Sequence, residues 1–181
     1  RLSEQKRIAI GAPYTGRSMS GSESLVGYCV HLLPIVSVFS PSDTFAAHLQ
    51  TIKQQLLQAY EHQDYPFARL LNQLNLPRDI SRSPLINVLF NLERLNEAQV
   101  IDDLTVDMQQ QPIAFTRMDL TFTANLKRDH VVLECDYNTN LFEASTIESL
   151  LKSYLSILET VVKDPQISHA NIALVNQHDS K

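Results

Sequence analysis

A two-layer α/β sandwich, in which helices flank a mixed β-sheet, is the fold class that the sequence predicts. Three observations lead to it. Two long segments carry apolar residues at helical spacing, Phe45, Leu49, Ile52, Leu56 and Tyr60 in one and Ile147, Leu151, Tyr154, Leu158 and Val161 in the other. Leu120, Phe122, Ala124 and Leu126 alternate with polar residues, and Val131, Leu133, Cys135 and Tyr137 repeat the alternation after a turn, which predicts a hairpin with one buried face. Finally, the order of elements lacks the steady strand and helix alternation of a doubly wound parallel sheet.

The chain of 181 residues, 44% of them hydrophobic, is long enough for one real core. A net charge of −5 with no Lys/Arg cluster argues against a nucleic-acid or anionic-membrane partner, since both demand the opposite sign. Cys29 and Cys135 lie far apart in apolar runs, the pattern of buried free thiols in a reducing compartment rather than of a disulfide framework. No apolar run approaches a membrane span, and Arg1 to Gln5 show no signal-peptide pattern, so the expectation is a cytoplasmic protein cut from a longer one.

In order along the chain, Lys6 to Ile10 reads as a strand feeding a loop from Gly11 to Ser24. All four glycines fall between positions 11 and 27, which concentrates backbone freedom there. No Gly-Lys-Ser/Thr follows, so phosphate cradling is not implied. Arg17 is the fixed charge of that loop. Val26 to Phe39 is apolar and β-rich, divided by Pro34 as at a bulge, bend or edge, with His31 alone inside it. Ser42, Asp43 and Thr44 offer cap chemistry for the first long helix.

Residues 62–92 hold the densest run of turn-fixing groups. After His62-Gln63-Asp64-Tyr65, Pro66 preorganises the start of a short helix with Asp64 or Tyr65 at its cap, and Leu70, Leu71 and Leu74 facing inward. Arg78, Asp79 and Arg82 are spaced for local ion pairs, and Pro84 biases Ser83 to an extended conformation ahead of the strand Ile86 to Phe90. These residues read as staples of two turns rather than as substrate contacts. Leu92 to Gln111 is irregular, with Leu104 to Met108 its one strand candidate. Ser145 and Glu148 have capping-box spacing for the last helix, which Asp164-Pro165 ends, and Asn171 to Val175 offers a final short strand or a surface tail.

At this point the residues carry a resemblance. His62 to Phe67 resembles the HQD-x-PF motif of condensation domains of nonribosomal peptide synthetases, Arg78 to Leu85 their RD-x-SR-x-PL motif, and Val26 to Pro34 their VG-x-FVNTLP segment. Met118-Asp119-Leu120-Thr121 and Tyr137 to Phe142 are similar to the FDLT and YNTDLF signatures, all in the family's order from about Ile8 to the end.

The resemblance implies a chloramphenicol-acetyltransferase-like fold of two lobes in a V, of which residues 1–181 would be the C-terminal lobe. Between such lobes a tunnel admits two phosphopantetheine arms on peptidyl carrier proteins, and an amide forms between the acyl or peptidyl donor and the amine acceptor. No cofactor is bound directly. The family's catalytic HH-x-x-x-DG motif belongs to the N-terminal lobe; here the histidines stand singly at 31, 48, 62, 130, 169 and 178, so no catalytic residue and no metal site is assigned to this lobe.

Position by position, the Gly11 to Ser24 loop would give the tunnel floor, and Arg17 matches an arginine thought to pair with the Asp of HH-x-x-x-DG. Gly16, Arg17, Tyr28 and His31 become the tunnel candidates, while His62, Asp64, Pro66, Arg78, Asp79 and Arg82 are structural. Residues 96 to 117 would cross toward the N-terminal lobe. His31-Leu32 replaces the family's Asn-Thr and Val36 its Arg, which bears on substrate specificity. An adenylation domain is the neighbour that would follow. The alternative is a non-catalytic docking module for carrier proteins or a neighbouring domain.

Overall fold

The structure, a computed structural model, describes residues 5–16, 21, 24–76, 83–94, 99–101, 104–106 and 115–174. Its main sheet has the strand order β2-β1-β3-β6-β7, built from β1 (Arg7–Tyr14), β2 (His31–Val38), β3 (Val88–Arg94), β6 (Leu120–Leu126) and β7 (Val131–Tyr137). A separate ribbon pairs β4 (Gln99–Ile101) with β5 (Leu104–Val106). The two outer pairs, β1 with β2 and β6 with β7, are antiparallel, whereas β3 runs parallel to β1 and β6. The sheet is therefore mixed, as the element order predicts.

The hairpin alternation holds residue by residue. Leu120 lies opposite Tyr137, Phe122 opposite Cys135, Ala124 opposite Leu133 and Leu126 opposite Val131, so the apolar sets share one face. On the other side of the sheet Asn125 is buried and its side-chain amide donates to Glu134 at 2.8 Å. Both cysteines are free thiols, and burial, then Asp136, pushes the Cys135 thiol up to about 11.

Helix α1 (Phe45–Glu61) packs against β2, and α2 (Phe67–Leu74) follows beside it; α3 (Ala144–Lys163) packs toward β7. Thr44 caps α1, its hydroxyl accepting from the Ala47 amide at 3.2 Å. Leu49 and Tyr60 remain partly exposed, so α1 buries its stripe less deeply than the spacing alone implies. No helix among the described residues is long and apolar enough to cross a membrane.

Several expectations are corrected. Gly11 to Tyr14 extends β1 instead of opening a loop, because Gly11 is a packing glycine: a Cβ there would lie 2.4 Å from Leu89 Cδ2 and 2.8 Å from Ile86 Cγ2. Val26 to Val30 is not strand, and β2 begins only at His31. Pro34 does not break β2, because the strand forms the sheet edge, where a missing amide donor costs no ladder bond. β3 starts two residues later than expected and runs to Arg94, while Ile86, 1% exposed, fills the space under Gly11.

The caps also differ. Pro66 itself is the N-cap of α2, its carbonyl accepting from the Arg69 and Leu70 amides, so neither Asp64 nor Tyr65 caps that helix. Leu74 is exposed rather than inward. Ser145 lies inside α3 behind an N-cap at Glu143, and its carbonyl takes the Ser149 hydroxyl at 2.9 Å; the capping box does not form. Leu104–Val106 finds a partner strand at Gln99–Ile101 in the stretch expected to be irregular. The tail turns through a 3₁₀ segment at His169–Asn171 and buries Ile172, and no strand forms in its described part.

That tail is tied to the start of α1. Phe45 and Ala46 donate to the Ile167 and Pro165 carbonyls, and His169 and Ala170 donate to those of Asp43 and Pro41. Inside the clasp, His48 stacks on Phe39 at 4.8 Å, meets His169 edge-on at 4.9 Å, and shares a 3.0 Å hydrogen bond with Ser37. Burial, then the neighbouring His169, holds the His48 imidazole below its ordinary value, with Asp43 pulling the other way.

Candidate functional site

The parallel run of β1, β3 and β6 sorts the sequence motifs between two ends of the sheet. At the end where β3 and β6 begin and β7 finishes, backbone bonds knit two signatures to the residue before β3. Asp119 and Leu120 donate to the Asn87 carbonyl at 2.9 and 3.3 Å, and Asn138 donates to Asp119 at 3.0 Å. The Asn138 side chain accepts from the Asn140 amide at 3.0 Å, while its carbonyl takes the Leu141 and Phe142 amides. These residues hold chain segments to one another. A cleft of about 540 Å³ opens beside them, lined by Phe115, Thr116, Asp136 and Tyr137 among others.

At the opposite end, β1 finishes at Tyr14 directly across from His31, the first residue of β2. Their rings stack with centroids 5.4 Å apart and planes 29° from parallel. Two residues on, Gly16 has φ of +55°, a conformation that suits glycine. A Cβ on it would fall 2.4 Å from the Cys29 carbonyl oxygen and 2.5 Å from His31 Cδ2. Gly16 is thus a close-approach glycine as well as a turn glycine.

The turn after α1 closes over the same strand end. The His62 amide donates to the Ala59 and Tyr60 carbonyls, Gln63 donates to Tyr60 and Tyr65 to His62, which winds the chain back toward β1. The Tyr14 hydroxyl then donates to the Gln63 carbonyl, and the Tyr14 ring meets Tyr60 edge-on at 6.4 Å. Burial, and then the Asp64 carboxylate, raises the Tyr14 phenol above its ordinary value, so it stays a protonated donor. The Arg69 guanidinium sits 5.8 Å from the Tyr65 ring centroid.

Of the sequence candidates, Gly16, His31, Asp64 and the His62 turn therefore meet around Tyr14. Tyr28 belongs to the same region but turns outward, 92% exposed, within a segment where Leu25, Val26 and Val30 are also exposed. Pro66 is the N-cap of α2. Arg17, Arg78, Asp79 and Arg82 lie outside the described residues. Sequence reasoning missed Tyr14 and Tyr60. The signal for Tyr14 was present: it continues the Ile8, Ile10, Ala12 alternation and immediately precedes the glycine turn. Among the described residues no group of three His, Cys, Asp or Glu side chains is placed to hold a metal.

The family model for the condensation domain matches residues 1–181. The chain belongs to the condensation-domain family. It is 32% identical over 177 residues to surfactin synthase subunit 1 of Bacillus subtilis (strain 168), covering 97% of this chain and 5% of that protein. Against tyrocidine synthase 3 of Brevibacillus parabrevis it is 34% identical over 178 residues, 98% of this chain and 3% of that one. This condensation-family chain thus spans a small part of those synthases.

The fold of a four-domain nonribosomal peptide synthetase bound to AMP and glycine matches with a TM-score of 0.87 at 22% identity, over 98% of this chain and 15% of that one. The condensation domain of the monacolin K polyketide synthase matches at 0.79 and 22% identity, over 94% of this chain and 40% of that one. The expected α/β class of the condensation-domain fold is borne out.

Proposed function

We propose that the chain is the C-terminal lobe of a nonribosomal peptide synthetase condensation domain that joins a carrier-bound acyl or peptidyl donor to a carrier-bound aminoacyl acceptor. Both substrates would ride on phosphopantetheine arms of peptidyl carrier proteins, with an adenylation domain as neighbour. The observation that carries the reading is the sheet end where Tyr14, Gly16 and His31 meet the turn at His62 to Asp64 beside the exposed segment 25–30. Exposed apolar residues clustered next to a constrained glycine turn suit a surface that another lobe covers.

In this reading the loop after Gly16 forms the tunnel floor, His31 and Tyr28 form its wall, and Arg17 offers a bidentate partner for the carboxylate of HH-x-x-x-DG. Amide formation needs the acceptor amine beside the thioester carbonyl and a group to take its proton. With no adjacent pair of histidines in the sequence, this lobe orients and encloses but does not supply that base. A peptide-transfer assay between loaded carrier proteins tests it with three preparations: this chain alone, the chain joined to an N-terminal lobe carrying HH-x-x-x-DG, and that pair with Arg17→Ala. The expected order is no turnover, turnover and reduced turnover. Turnover by the chain alone refutes the reading.

A second reading, a docking module without chemistry, is favoured by one similarity. The X-domain of teicoplanin biosynthesis, solved in complex with OxyB, matches with a TM-score of 0.81 at 21% identity over 94% of this chain and 38% of that one. Partner binding by the joined pair without any amide product would select it.

A further inference from the structure

Resting on the catalytic reading above, we infer that Tyr14 is a positioning residue: it fixes the path by which the chain leaves the sheet into the loop that begins at Gly16. Tyr14 ends β1, where a strand's last side chain is commonly solvated, yet it is only 9% exposed. Three contacts hold it there. Its hydroxyl reaches a carbonyl 49 residues away in the turn after α1, its face stacks on His31, and its ring packs edge-on with Tyr60.

The consequence passes through His31. Its ring stacks on Tyr14, and its edge occupies the space a side chain at Gly16 would need, with Cδ2 2.5 Å from that Cβ position. The Cys29 carbonyl oxygen takes up the same space, 2.4 Å from that Cβ position. The route through Thr15 and Gly16 is therefore set by the His31 ring, the ring by Tyr14, and Tyr14 by its bond to Gln63. Whatever the next residue, Arg17, does depends on that route. Tyr14 touches no reacting group in this arrangement. It acts through the loop.

Tyr14→Phe isolates the hydroxyl while keeping ring volume. In the complete condensation domain containing this chain, kcat for amide formation should fall about 3- to 10-fold, the equivalent of one hydrogen bond, with KM for the loaded acceptor carrier unchanged. In an Arg17→Ala background the same change should cost less than about twofold, because the two positions act in series. Equal fold losses in both backgrounds, or no loss at all, overturn the assignment.

Amide hydrogen exchange supplies a readout that does not depend on turnover. Exchange at Thr15 and Gly16 should quicken in Tyr14→Phe; unchanged exchange overturns the clamp whether or not the domain makes amide. A wild-type domain that makes no amide refutes the catalytic reading, and exchange still decides the clamp. Should Tyr14→Phe not fold, His31→Ala removes the other half of the stack, and exchange at Thr15 and Gly16 alone is read: faster exchange supports the clamp, and unchanged exchange overturns it.

Discussion

Replacing Gly16 by Ala separates two costs that the structure stacks at one residue. The first is conformational. With φ at +55°, an L side chain meets its own carbonyl, about 1–2 kcal/mol by the left-handed penalty. The second is contact. The new methyl would sit 2.4 Å from the Cys29 carbonyl oxygen and 2.5 Å from His31 Cδ2, so backbone must move, and overpacking of that kind costs roughly 1–3 kcal/mol. The sum is about 2–5 kcal/mol. Gly21 provides the control, since its φ is +85° but no atom among the described residues lies within 4 Å of its Cβ position. Gly21→Ala should therefore cost only the conformational part, about 1–2 kcal/mol. Urea denaturation of the condensation domain, with midpoints compared at equal slopes, measures both. Equal losses in the two variants would show that Cys29 and His31 do not press on Gly16, and the site geometry built on that contact would fall with it.

The tail clasp should respond to acid: the folded-state His48 imidazole is held below 6.5, so its contribution is fully present above that pH and lost as pH falls through the lowered value. Thermal midpoints from pH 7.5 to 5 should drop more in wild type than in His48→Gln, and parallel curves would refute it. Val26→Ser with Tyr28→Ser should suppress self-association of the isolated chain, read by sedimentation at rising concentration, because both side chains are almost wholly exposed. A wild-type chain that stays monomeric counts against this. Asp79→Ala should lower stability by roughly 1–3 kcal/mol through unpaired donors, with turnover following stability only; a large loss of turnover at an unchanged melting midpoint would place Asp79 in the chemistry instead.

Periodicity carried most of the fold, because wherever one face is buried the pattern of side chains is dictated by the pattern of burial. The hairpin of β6 and β7 was readable as two alternating sets for that reason, and the structure pairs those sets across the strands. Composition misled at residues 26–30, where Val26 to Val30 looks like strand but stands in solvent. An apolar run reports that something covers it. It does not report whether the cover is this chain's own sheet or another surface. Gly11 misled in the opposite direction: glycine signals loop freedom in sequence, yet this one is required by Leu89 and Ile86 crowding a central strand.

The candidate site was half legible for a related reason. Gly16 and His31 could be singled out by residue type, and the His62 turn by its capping chemistry, but nothing local says that these three converge. Convergence is a product of topology: β1 and β2 pair antiparallel so that Tyr14 meets His31, and α1 must then return its last turn over that same end. Tyr14 is what joins them, and between Gly11 and Gly16 it reads as part of a loop rather than as the end of a strand. The distinction matters for function. Signatures at Asp119 and Asn138 lie at the far end of the sheet, where their backbone groups and the Asn138 side chain bond the chain's own backbone. Those near Tyr14 leave a glycine turn, an imidazole and an apolar segment facing outward. The same family motifs thus divide physically into those that close the fold upon itself and those that leave a turn and an apolar segment exposed.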